Sequence, residues 1–118
     1  MGKRVILQGD VYVCDLKDGV GSEQNGDRPC IIIQLNILNK TSKNVIVVPI
    51  TSQRKKALPT HLVLNQKDYQ FLNCKTNTVL CENIRSISKS RLKKYLGAIN
   101  EDDLARILKI KEYAFISK

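Results

Sequence analysis

Residues Pro29-Cys30-Ile31-Ile32-Ile33-Gln34-Leu35 and Val45-Ile46-Val47-Val48-Pro49-Ile50-Thr51 are two apolar runs, each seven residues long and rich in β-branched side chains. Helices need roughly 10–12 residues, so runs this short and this branched predict buried central strands. Pro29 opens the first run, one of the few strand positions that tolerates a residue without an N–H. Pro49 predicts an edge or a bulge near the end of the second.

Upstream, Gly9 to Leu16 sets Val11 and Val13 against Tyr12 and Cys14, the two-residue period of a strand. Lys17 to Asp27 holds three glycines and an Asn-Gly pair and predicts a long loop of the kind that binds something. Downstream, Asn39 to Asn44 predicts a polar turn and Ser52 to Pro59 a basic loop. Thr60 to Leu64 predicts a short strand, and 65–78 an irregular polar segment with a helical turn near Lys67 to Phe71. Val79 to Ile87 alternates as one further strand, and Tyr95 to Ile99 pairs as the last. Asn100 is a good N-cap, followed by Glu101, Asp102 and Asp103 at the positive end of a helix dipole. Leu104, Ile107, Leu108 and Phe115 give that helix one apolar face. The expectation is one domain over residues 1–118, mainly β with a C-terminal helix, curled into a small sheet or barrel.

Twenty Lys and Arg against eleven Asp and Glu give a net charge of +9, which points to a polyanionic partner such as nucleic acid. No stretch approaches the roughly 20 apolar residues of a membrane span, and Val5-Ile6-Leu7 is too short for a signal-peptide core. Cys14, Cys30, Cys74 and Cys81 form no CxxC pair and have no nearby histidine, which argues against a zinc site. A reduced, cytoplasmic protein with no metal and no cofactor is expected. With only four Tyr and two Phe, base stacking must be sparse.

Several strings, in order, resemble the MazF/PemK toxin family. They are Gly9-Asp10-Val11-Tyr12; Gly21-Ser22-Glu23-Gln24 followed by Arg28-Pro29; Val48-Pro49-Ile50-Thr51-Ser52-Gln53; Leu58-Pro59-Thr60-His61; and Glu82-Asn83-Ile84-Arg85-Ser86-Ile87. Each is weak alone; their order and spacing are specific. The resemblance implies an SH3-like barrel of the PemK/CcdB kind working as a homodimer. It implies cleavage of single-stranded RNA at chosen sequences, leaving a cyclic phosphate and a free 5′-hydroxyl. It also implies a cognate antitoxin that folds on binding and blocks the RNA groove. The chain departs from the family pattern at Asn83, where glutamine is expected, and in its basic loop and 65–78 segment. Those departures bear on which RNA sequence is cut.

Metal-free cleavage uses the RNA's own 2′-hydroxyl, so a site must remove that proton, stabilise the phosphorane and protonate the leaving oxygen. Arg28 aligns with the family's catalytic arginine. Its guanidinium fork matches two phosphate oxygens, and Pro29 confines its backbone to an extended form. A pKa above about 12 suits a transition-state clamp better than proton transfer. Thr51 aligns with the family's catalytic threonine and can donate to a phosphate oxygen. Glu23 can accept the 2′-hydroxyl proton, orient Arg28 or bond a base. Ser22, Gln24, Ser52, Gln53, Arg54, Lys55, Lys56, Glu82, Asn83 and Arg85 are expected to contact RNA. His61, the only histidine, has acid–base chemistry suited to neutral pH, but the resemblance carries no catalytic role onto it. Lys89, Arg91, Lys93 and Lys94 form a second basic cluster that either extends the RNA track or meets an acidic antitoxin. Two rival readings are a CcdB-like toxin that acts on DNA gyrase and a non-catalytic RNA-binding barrel.

Overall fold

The computed structural model describes residues 4–17, 26–53 and 56–114. Among these residues seven strands and two α-helices follow in the order β1 (Asp10–Asp15), β2 (Asp27–Ile32), α1 (Asn36–Thr41), β3 (Asn44–Thr51), β4 (His61–Asn65), β5 (Thr76–Leu80), β6 (Arg85–Ser88), β7 (Leu92–Ala98) and α2 (Glu101–Ala114). All pairings are antiparallel, in the order β4-β5-β3-β2-β1-β7, with β6 beside the first half of β3. The mainly β architecture with a terminal helix is the one expected. Among the described residues β4, β6 and β7 each pair on one side only, so the curled sheet is not a closed ring.

Both faces of the central strands are covered, which explains the uninterrupted apolar runs. One cluster holds Val11, Ile31, Val48, Ile50 and Val79, with Leu104, Ile107 and Leu108 of α2 packed on it. The other holds Tyr12, Cys14, Cys30, Ile32, Val45 and Val47. Asn100 Oδ1 accepts the Asp103 N–H at 2.8 Å, the expected cap of α2. Phe115, read as part of the same apolar face, lies outside the described residues. No helix among the described residues is long and apolar enough to cross a membrane.

Three expectations change. The first half of the turn read at Asn39–Asn44 is the end of the short helix α1 (Asn36–Thr41), held by buried Asn39. Its amide donates to Gln34 O at 2.9 Å and its Oδ1 accepts from Gln34 Nε2 at 3.0 Å. Strand β2 begins at Asp27 rather than Pro29, because Asp27 and Arg28 pair with Asp15 and Cys14 of β1.

The single strand read over Val79–Ile87 is two. Ile50 pairs with Val79 while Val47 pairs with Arg85, so three steps along β3 match six along the segment that runs from β5 to β6. The surplus of three residues is absorbed by a 3₁₀ turn, Cys81–Asn83. Apolar alternation runs on through such a turn, and only the partner strand reveals the break.

Candidate active site

The β2–β3 ladder builds the site. Cys30, Ile31 and Ile32 oppose Pro49, Val48 and Val47, and Ile33 N–H donates to Ile46 O at 3.0 Å. Hydrogen-bonded and non-bonded pairs alternate in an antiparallel ladder. Ile31–Val48 is therefore a bonded pair and Cys30–Pro49 a non-bonded one. The N–H that Pro49 lacks would point away from β2, into the gap where β3 exchanges β6 for β5. Proline costs no ladder bond there.

The next bonded pair would join Pro29 to Ile50, but Pro29 has no N–H to give, and the recorded ladder ends at Cys30. Carried one position further, the same register would set Arg28 across from Thr51. Such a non-bonded position is where opposed side chains approach most closely. Arg28 shares the parity of Cys30 and Ile32, and Thr51 that of Val45 and Val47, so both project to the face of the second cluster. Arg85, opposite Val47, joins them on that face.

Thr51 is buried, and its Oγ1 accepts the Gln53 N–H at 3.1 Å. That bond fixes the rotor and leaves the hydroxyl proton to donate. Beneath lie Cys14 and Cys30, both buried and free. The Cys30 thiol is pushed well above its ordinary value by its hydrogen bond with Cys14 and by burial, against the nearby Arg85 charge. It stays a neutral packing group.

Glu82 lies within the 3₁₀ turn. The 3₁₀ turn carries it to the start of β4, where Thr60 Oγ1 donates to its Oε1 at 2.8 Å and His61 Nε2 lies 2.9 Å from its Oε2. Burial works against the charged carboxylate, but the bonds from His61, its own backbone N–H and Thr60 outweigh it and hold the pKa below the ordinary value. Asn83 is half-buried on the same turn; Ser52, Gln53 and Lys56 are exposed around the end of β3. Ser22, Glu23, Gln24, Arg54 and Lys55 lie outside the described residues.

A cleft of about 330 Å³ opens on the opposite face, where Ile50 of β3 and the adjacent Ser52 meet Lys94 of β7, Phe71 and Asn73 of the β4–β5 connection and Asn77 of β5. Arg28 borders it as well. Phe71, Asn73 and Asn77 drew no attention in the sequence, because residues 65–78 have no periodicity. Only pairing across the sheet, with Val13 opposite both Pro29 and Lys94, brings these parts together.

The chain is similar to a mycobacterial endoribonuclease solved in complex with its cognate antitoxin, at 28% identity over 92% of this chain and 93% of that one, with a TM-score of 0.75. A second mycobacterial endoribonuclease matches at 27% identity over 94% and 91%, with a TM-score of 0.74. MazF from Deinococcus radiodurans, at 23% identity over 94% and 96% and a TM-score of 0.80, agrees in fold. Residues 7–110 match the PemK-like, MazF-like toxins of type II toxin–antitoxin systems, a span that holds all seven strands and most of α2, and the chain belongs to that family.

Proposed function

We propose that this toxin is a metal-independent endoribonuclease that cuts single-stranded RNA at chosen sequences. The observation that carries the reading is the β2–β3 register, paired as far as Cys30–Pro49, whose continuation would set Arg28 across from Thr51. A planar cationic fork and a fixed hydroxyl on one face suit a phosphate whose charge grows during reaction. The net charge of +9 attracts the polyanion. The mycobacterial relatives named as endoribonucleases, one of them bound to its antitoxin, support the same activity and the same kind of inhibitor.

In the reaction the 2′-oxygen loses its proton and bonds to the adjacent phosphorus, while the bond from phosphorus to the 5′-oxygen breaks. The products are a 2′,3′-cyclic phosphate and a 5′-hydroxyl. Arg28 binds two non-bridging oxygens as the phosphorane forms, and Thr51 donates to one of them. Glu23, four residues before β2 in the sequence, is assigned the 2′-hydroxyl proton. Ser22, Gln24, Ser52, Gln53, Arg54, Lys55, Lys56 and Arg85 line the RNA path. Glu82 and Asn83, on the 3₁₀ turn, lie on the same path through the His61 end of β4. The toxin acts as a cytoplasmic homodimer that an antitoxin silences by covering the groove.

The test is incubation with a long single-stranded RNA in EDTA, with fragment ends mapped by sequencing. Discrete cuts with cyclic-phosphate ends are expected, and a 2′-deoxy nucleotide on the 5′ side of the cut should block cleavage there. Activity that needs added magnesium would sink the mechanism. A monomer by sedimentation at micromolar concentration would remove the dimer.

A further inference from the structure

The cleft on the first-cluster face is built rather than incidental. Its outer wall, the β4–β5 connection, is anchored at four points. Leu72 is buried, Gln66 Nε2 donates to Leu72 O at 2.7 Å, Asn77 Nδ2 donates to Cys74 O at 2.7 Å, and Tyr69 hydroxyl donates to Asp103 Oδ2 at 2.5 Å. A wall fixed this way can hold side chains in a set geometry. Two of them, Phe71 and Asn73, stand across the cleft from Lys94 of β7. Phe71 presents a half-buried ring that packs over Gly97 and meets Tyr69 edge-on, 5.9 Å between centroids. Asn73 is exposed at the rim, and among the described residues its amide has no hydrogen-bond partner. Lys94 is exposed on β7 and makes no ion pair among the described residues.

An aromatic face, an open amide and an ammonium group together match a nucleotide. A base stacks on the ring, its edge meets an amide that carries donor and acceptor side by side, and its phosphate meets the cation. Arg28, the residue read as the phosphate clamp, also borders this cleft, so the two sites share a residue. We infer that the cleft binds one nucleotide of single-stranded RNA next to the scissile phosphate, with Asn73 reading the base, Phe71 stacking on it and Lys94 holding its phosphate. The inference rests on the ribonuclease reading for its place in the substrate. It assigns base selection partly to residues away from the Arg28–Thr51 face.

The experiment is an NMR titration of the labelled protein with each of the four 5′-mononucleotides in EDTA, joined to cut-site mapping of variants. Saturable shifts of the Asn73 side-chain amide and the Phe71 ring are expected, stronger for some bases than others. Asn73→Ala should weaken the preferred nucleotide roughly tenfold and level the four affinities. Phe71→Leu should weaken all four alike. In long RNA, Asn73→Ala should spread cuts over more sequences. Shifts confined to Arg28 and Thr51 would overturn the inference, as would poly-glutamate filling the cleft when no nucleotide does. A cleaving wild type whose cut map is unchanged in Asn73→Ala would overturn it and spare the ribonuclease. Nucleotide shifts at Asn73 and Phe71 in a protein that never cuts would uphold the cleft and sink the ribonuclease.

Discussion

His61 Nε2 lies 2.9 Å from Glu82 Oε2, and the histidine side chain is only 7% exposed. The single histidine, the obvious acid–base candidate from composition, is thus held by a carboxylate at the β4–β5 end of the sheet. The pair joins the start of β4 to the 3₁₀ turn. Because the folded Glu82 carboxyl titrates below its ordinary 4.5, its contribution to stability is complete above that pH and is lost as the pH falls through the folded value. Urea unfolding of Glu82→Gln should show a flatter loss of stability than wild type from about pH 6 to about pH 3. Parallel curves would mean the pair contributes nothing.

Arg28 and Thr51 should act as one unit. Arg28→Ala is expected to lower single-turnover cleavage by roughly 10²–10³-fold, and Thr51→Val, which keeps the packing of a residue 1% exposed, by roughly 10²-fold. The double variant should be little worse than Arg28→Ala, because both groups serve the same phosphate. Multiplicative losses would separate them.

Gly97 lies under Phe71. A Cβ added there would stand 2.5 Å from the ring, inside van der Waals contact. Gly97→Ala should therefore push Phe71 off β7 at a cost of about 1–3 kcal/mol. Chemical denaturation gives the cost, and the Phe71 ring resonances give the displacement. An unmoved ring with unchanged stability would show that the strand yields instead.

Tyr69 ties the β4–β5 connection to the first turn of α2. Its hydroxyl donates to Asp103 and accepts the Asn100 N–H at 3.2 Å. Burial and then the Asp103 bond raise its pKa from 10.0 to about 12. A raised pKa favours the neutral folded form, so this contribution is present below pH 10 and is lost as the pH rises toward about 12. Tyr69→Phe should remove that alkaline step and lower stability at neutral pH by about 1–3 kcal/mol, as expected for a bond to a charged acceptor. An alkaline step that persists in the variant would belong to another group.

Much of this protein was legible in the residues alone. Short apolar β-branched runs, the Asn100 cap with its acidic first turn, and the charge of +9 each act locally or in sum. They therefore predicted a mainly β fold, a terminal helix and an anionic partner. The ordered strings around Arg28 and Thr51 pointed to the family. Tertiary structure alone decided what depends on register. Pro29 and Pro49 differ only in which strand their missing N–H would face, and that parity is set by the β2–β3 pairing. The break at Cys81–Asn83 exists because β3 pairs with β5 and β6 three residues out of step, an offset that leaves the alternation of Val79–Ile87 intact. The same pairing sends Glu82 to His61 instead of toward Arg28. The cleft joins β7 to an aperiodic segment about 20 residues earlier. Contacts between segments so far apart are fixed by the whole sheet's packing, which no local pattern encodes.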